Sequence, residues 1–178
     1  MTNVVKPNPE PNDARPFVYS QYAKAAKLIL EEAKTINDRG EYFPVFGICL
    51  GFQSMIAAEA EDMFIVEKKD VGLGYNANLQ YTNESAESKL LAAMPRYLTD
   101  YMANIKSTYN FHEYMVDYDC FKSNPRLEKM YKVLSLSKSK DATITFISMI
   151  EGIKYPFYGF QFHPEITPET LSLFLEND

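Results

Sequence analysis

The sequence predicts an α/β fold, a sheet with helices packed against it, on three observations. The apolar run Tyr42-Phe43-Pro44-Val45-Phe46 leads into Gly47-Ile48-Cys49-Leu50-Gly51 and then into helix-forming sequence, a strand, a tight turn and a helix in succession. Residues 20–38 carry apolar side chains at spacings of four and three, which marks an amphipathic helix. Residues 133–137, 143–150 and 155–162 are apolar or alternating runs that read as strands. At 178 residues and 46% hydrophobic, the chain is one domain by size with enough apolar material for a sizeable core. Thirteen Tyr and twelve Phe, with no Trp, make that core aromatic-rich.

The elements follow in order. Residues 1–18 are polar and proline-rich (Pro7, Pro9, Pro11, Pro16) and read as a flexible arm, leaving 19–178 as the domain. Ser20 is the expected cap of the first helix, whose apolar face is Tyr22, Ala26, Ile29, Ala33 and Ile36. Gly40 follows as its stop. After the strand and turn comes a helix near 52–60, then a strand at 63–67. Gly72-Leu73-Gly74 reads as a turn, since its spacing fits no phosphate-binding motif. Residues 88–94 and 95–105 read as helical pieces, the second opened by Pro95, and 108–116 as extended. Asn124-Pro125 opens a short helix to about 131. Beyond the three late strands, Thr167-Pro168-Glu169 starts a last helix capped by Thr167.

Charge and cysteine content narrow the function classes. A net charge of −6 argues against nucleic acid or an anionic membrane as partner, and no run approaches transmembrane length. The two cysteines, Cys49 and Cys120, are expected free, which fits a reducing, cytosolic setting. Polar residues and prolines follow Met1, so no secretory signal is read. The cysteines and the two histidines lack metal-ligand spacing, so neither a metal nor a cofactor is expected.

The chemistry concentrates in two places. Gly-x-Cys-x-Gly between a strand and a helix is the cysteine form of a nucleophile elbow. Flanking glycines suit such a strained turn, because bulky neighbours would clash there. The turn places the sulfur at a helix N-terminus, whose partial positive charge favours the nucleophilic thiolate. The second place is Tyr158-Gly159-Phe160-Gln161-Phe162-His163-Pro164-Glu165, where Pro164 ends a strand. Positions two apart in extended chain share a face, so Glu165 can orient the imidazole of His163. Cys49, His163 and Glu165 thus supply nucleophile, base and orienter.

Phe43-Pro44-Val45-Phe46-Gly47-Ile48-Cys49-Leu50-Gly51-Phe52 together with Gly159-Phe160-Gln161-Phe162-His163-Pro164-Glu165 resembles the class I glutamine amidotransferase superfamily. Tyr109-Asn110-Phe111-His112, Ile147-Ser148-Met149-Ile150-Glu151-Gly152 and Lys154-Tyr155-Pro156-Phe157-Tyr158-Gly159 narrow the resemblance to gamma-glutamyl hydrolases, over about residues 22–165. It implies part of a three-layer, flavodoxin-like sheet with helices on both faces. It also implies a thiol hydrolase of gamma-glutamyl bonds, typically in folate polyglutamates, acting through a thioester on Cys49. Leu50 would donate one oxyanion N–H, and His112 matches a position lining the site. The substrate is a small anionic molecule, for which Lys68, Lys69 and Lys154 are candidate binding groups.

The departures carry expectations too. Gln53 stands where the family usually has Glu, and is expected beside the substrate, altering affinity or the thiol pKa. The family's opening βαβαβ unit, and its Pro-Gly-Gly loop donating a second oxyanion N–H, have no match in this sequence. The domain therefore reads as truncated, its nucleophile strand exposing an edge and a face that invite a protein partner or self-association. The family is commonly lysosomal, vacuolar or secreted, which the absent signal also leaves unmatched. Two alternatives to hydrolysis stand: a glutamine amidotransferase subunit, and a non-catalytic subunit of a larger assembly.

Overall fold

The computed structural model describes residues 21–166. The expected arm at 1–18, the Ser20 cap and the helix from Thr167 lie outside the described residues. The order begins α1 (Gln21–Asp38), β1 (Val45–Ile48), α2 (Leu50–Ala60), β2 (Val66–Lys68), β3 (Leu73–Ala77) and β4 (Gln80–Tyr81). It continues with α3 (Lys89–Ala93), α4 (Arg96–Asn104), β5 (Thr108–Phe111), β6 (Tyr114–Val116), α5 (Tyr118–Ser123) and α6 (Pro125–Met130). The late strands are β7 (Tyr131–Lys138), β8 (Thr145–Gly152) and β9 (Phe157–Phe160).

A five-stranded sheet runs in the order β1-β9-β8-β7-β4, with β1 parallel to β9 and the other pairings antiparallel. Helices cover both faces, as the α/β reading expects. On one side α1, α2 and α6 bury Leu30, Ala33, Phe52, Ile56 and Leu127 against Val133, Ile147, Ile150 and Phe157. On the other, Leu90 and Leu91 of α3 and Met102 of α4 pack over Leu134, Met149, Phe160 and Phe162. Two short antiparallel pairs, β2–β6 and β3–β5, lie beside the main sheet.

Several elements differ from expectation. On α1 Ala33 is buried and Ala26 and Ile36 half-buried, as expected, but Ile29 is 56% exposed and Leu30 is buried in its place. Leu28 and Ile29 offer two adjacent apolar positions, and packing against α2 selects neither. The strand expected at 63–67 splits into a 3-10 turn (Met63–Ile65) and β2. Gly72 and Gly74 both take positive φ, as a turn requires, but Leu73 between them opens β3 at a bulge. Residues 42–44 precede the strand; Asn37 holds them, donating to the Phe43 carbonyl at 2.8 Å and accepting the Phe43 N–H at 3.2 Å. The helix α5 was not expected, although Asp117 caps it by accepting the Cys120 N–H at 2.9 Å.

Among the described residues β1 is an edge strand. Phe46 on it is 57% exposed and stacks on Tyr158, ring centroids 4.9 Å apart, and Tyr42 and Phe43 before it are exposed as well. Among the described residues no helix is long and apolar enough to cross a membrane.

Candidate functional site

Three strand ends converge on Cys49. β1 and β9 run parallel in register, Ile48 opposite Phe160, and the Cys49 N–H donates to the Phe160 carbonyl at 2.7 Å. The chain leaving β9 is tied to the end of β5, where the His163 N–H donates to the Tyr109 carbonyl at 2.9 Å. Parallel alignment thus brings residue 49 and residues 161–165 to the same end of the sheet.

Cys49 occupies φ 49°, ψ −101° at the N-cap of α2. A non-glycine residue there carries strain of about 1–3 kcal/mol, tolerated because strand and helix fix it from both sides. The two elbow glycines are unequal. A Cβ on Gly47 would lie 2.8 Å from two backbone atoms at the start of α2, whereas one on Gly51 would meet nothing within 4 Å. Only Gly47 is required for packing, which corrects the expectation that both are.

The thiol is half-buried and both cysteines are free. The Phe111 carbonyl faces the S–H at 4.0 Å, and Gln161 Nε2 donates to the sulfur at 3.9 Å. Burial pushes the Cys49 pKa up, the Leu50 N–H pulls it down, and the Glu165 carboxylate adds to the rise. The net direction is upward: the Leu50 N–H at the helix start favours the thiolate, as the sequence suggests, and burial outweighs it.

His163 Nδ1 lies 2.8 Å from Glu165 Oε1. A carboxylate only accepts, so Nδ1 carries the proton and the neutral ring keeps Nε2 as its basic nitrogen. His112 is 5% exposed and stands edge-on to Phe146. Burial, with a minor contribution from His163, lowers its pKa to about 4, while the Tyr114 carbonyl opposes the shift. Its Nδ1 is 2.9 Å from that carbonyl and its Nε2 is 3.2 Å from Asn110 Oδ1. Both neighbours accept, and the neutral ring has one N–H, so the shorter contact to Tyr114 is the bond it makes.

Gln53 is buried, its Nε2 donating to the Tyr114 carbonyl at 2.9 Å and to Gln161 Oε1 at 3.1 Å. It therefore reaches the sulfur through Gln161 rather than facing a ligand. Lys68, Lys69 and His112 line one cavity of about 270 Å³ with Asp70, Val71, Gly72, Leu73 and Glu113. Lys68 pairs with Glu113 at 3.6 Å and Lys69 with Glu67 at 3.2 Å. Lys154 is elsewhere, paired at 2.6 Å with Asp38 of α1. Sequence reasoning passed over Gln161, which directly follows β9; residues 161–166 leave the strand in a bend and a turn, with the Ile166 N–H donating to the His163 carbonyl at 3.3 Å, so it is this turn and not extended chain that sets Glu165 against His163. Among the described residues, no group of three or more His, Cys, Asp or Glu side chains is placed to hold a metal ion.

Known proteins resemble this chain in sequence and in fold. Gamma-glutamyl hydrolase of Homo sapiens is 34% identical over 149 residues, 84% of this chain and 46% of the human protein. Gamma-glutamyl hydrolase of Rattus norvegicus is 31% identical over 160 residues, 89% of this chain and 49% of the rat protein. The chain spans about half the length of these curated relatives. A solved glutamine amidotransferase from Thermotoga maritima shares the fold with a TM-score of 0.54 at 16% identity, covering 91% of this chain and 54% of the other. The family pattern described as glutamine amidotransferase class-I matches residues 20–178, and the chain belongs to that family.

Proposed function

We propose that this chain carries the thiol machinery of a gamma-glutamyl hydrolase acting on small gamma-glutamyl substrates, folate polyglutamates foremost. Cys49 is the nucleophile toward the gamma-amide carbonyl. Its proton passes to His163 Nε2 and then to the leaving amine, while Glu165 holds the imidazole. Water hydrolyses the resulting thioester, releasing the acyl group and restoring the thiol. The Leu50 N–H, already beside the sulfur, serves as one oxyanion donor.

The observation that carries this reading is a strained Cys49 and a His163–Glu165 pair that lie at the same end of the sheet. The relatives named gamma-glutamyl hydrolase support the substrate class. The test is glutamate release from a gamma-glutamyl-linked folate by the full chain, alongside Cys49→Ala. Release lost in the variant supports the reading; a folded chain that releases none defeats it. Ammonia release from glutamine in the same preparation would instead favour an amidotransferase.

A second reading has its own observation. Among the described residues β1 is an edge strand, and its Phe46, with Tyr42 and Phe43, is exposed. An edge so placed favours assembly with another polypeptide that pairs along β1. A larger species in size-exclusion chromatography, dispersed by Phe46→Lys, supports this reading, and a monomer at all concentrations with no co-purifying chain counts against it.

A further inference from the structure

An amide beside a thiol can act in either sense. Its N–H stabilises the thiolate, whereas its oxygen disfavours it. Gln161 presents Nε2 to the Cys49 sulfur at 3.9 Å, and what selects that end lies two contacts further in. The Tyr114 carbonyl can only accept, so Gln53, 2.9 Å away, must turn its NH2 toward it. The same NH2 donates to Gln161 Oε1 at 3.1 Å. With its oxygen held, Gln161 has its own NH2 left for the sulfur. Gln161 is fully buried and Gln53 nearly so, which limits competition from water for these contacts. The chain of donors is therefore polarised from a backbone carbonyl of β6 to the nucleophile at the other end.

We propose that Gln161 stabilises the Cys49 thiolate directly, and that Gln53 is the positioning residue that sets the direction of this donation. Its importance for turnover rests on the reading of Cys49 as nucleophile, but the thiol itself is measurable without any substrate. The opposing neighbour is the Phe111 carbonyl, which favours the protonated thiol by accepting its S–H. Removing Gln161 leaves that carbonyl without a counterweight from the side chains.

The test is the pH dependence of iodoacetamide alkylation of Cys49 in the full chain carrying Cys120→Ser. Gln161→Met should raise the alkylation midpoint by about one pH unit, the scale of one lost hydrogen bond to a charged group. Gln53→Met should raise it by less, and should have no effect in the Gln161→Met background, because Gln53 acts through Gln161. Unchanged midpoints in both folded variants, or additive shifts in the double variant, overturn the proposal. A measurement without substitution at either glutamine guards against misfolding. The side-chain NH2 resonances of Gln161 should titrate with the alkylation midpoint, and resonances that stay fixed while the thiol ionises also overturn it. A chain that lacks hydrolase activity but shows these shifts would defeat the proposed function alone. Intact activity with unchanged midpoints would defeat the relay alone.

Discussion

Gly47→Ala and Gly51→Ala form a matched pair, because the same methyl group meets opposite surroundings on the two sides of Cys49. At Gly47 the new Cβ would stand 2.4 Å from Met55 Sδ and 2.8 Å from both Gly51 C and Phe52 N. The thioether can swing away, but the two backbone atoms belong to the first turn of α2. Ordinary carbon contacts lie near 3.5–4.0 Å, so strand and helix must separate by about 0.7 Å or more. Overpacking of this kind costs about 1–3 kcal/mol, and a rigid neighbour puts Gly47→Ala at the upper end, about 3 kcal/mol. At Gly51 nothing lies within 4 Å, φ is not positive, and the residue is in the helix. Alanine there should stabilise by about 0.4–1 kcal/mol through helix propensity and lost unfolded-state freedom. Urea unfolding at constant m-value reads both, with the midpoint falling for Gly47→Ala and rising slightly for Gly51→Ala. A Gly47→Ala protein as stable as the parent would refute the steric account of the elbow.

Two further predictions rest on buried polar groups. The folded pKa of His112 is about 4, against about 6.5 for an unfolded histidine. The unfolded chain therefore binds the extra proton first, so stability is complete above pH 6.5 and falls by about 3 kcal/mol as pH drops to 4. His112→Asn should flatten the difference between urea midpoints at pH 7 and pH 4.5, and an unchanged difference would exclude His112 as its source. Glu151, 4% exposed, accepts the Ser88 hydroxyl and the Lys89 N–H, the latter at 3.1 Å, at the start of α3. Glu151→Ala leaves both donors without this acceptor and should cost about 2–3 kcal/mol, with faster hydrogen exchange across α3; parental exchange rates there would show the cap to be dispensable.

What the sequence made legible was local. Cys49 with its strand and helix sits within sixteen residues, and His163 with Glu165 within three, so period and turn chemistry were sufficient to find them. One position of the α1 face was misplaced, Ile29 in place of Leu30, because Leu28, Ile29 and Leu30 are all apolar and only contact with α2 chooses among them. The pairs β2–β6 and β3–β5 join segments more than 30 residues apart by strands of three to five residues, too short for alternation to declare. The role of Gln53 was invisible for the same reason. It depends on the Tyr114 carbonyl, 61 residues away in sequence, and on Gln161, 108 residues away.

The surroundings of the sulfur explain why a base is needed on the proposed chemistry. Two groups favour the thiolate, the Leu50 N–H and the Gln161 amide, and two oppose it, the Phe111 carbonyl and the Glu165 carboxylate. Burial decides the balance toward the thiol. A protonated resting nucleophile must lose its proton as it attacks, which makes the free Nε2 of His163 indispensable rather than auxiliary. Glu165 then acts in two opposed ways, raising the thiol pKa through space while accepting from His163 Nδ1 to hold the base. The second effect acts by contact at 2.8 Å, whereas on Cys49 the carboxylate acts through space and more weakly than burial or the Leu50 N–H. Loss of Glu165 should therefore slow turnover even though it eases ionisation of Cys49. A Glu165→Gln chain with a lower alkylation midpoint and lower activity would display both effects at once, and one with a lower midpoint and higher activity would show that resting ionisation, not the base, limits the reaction.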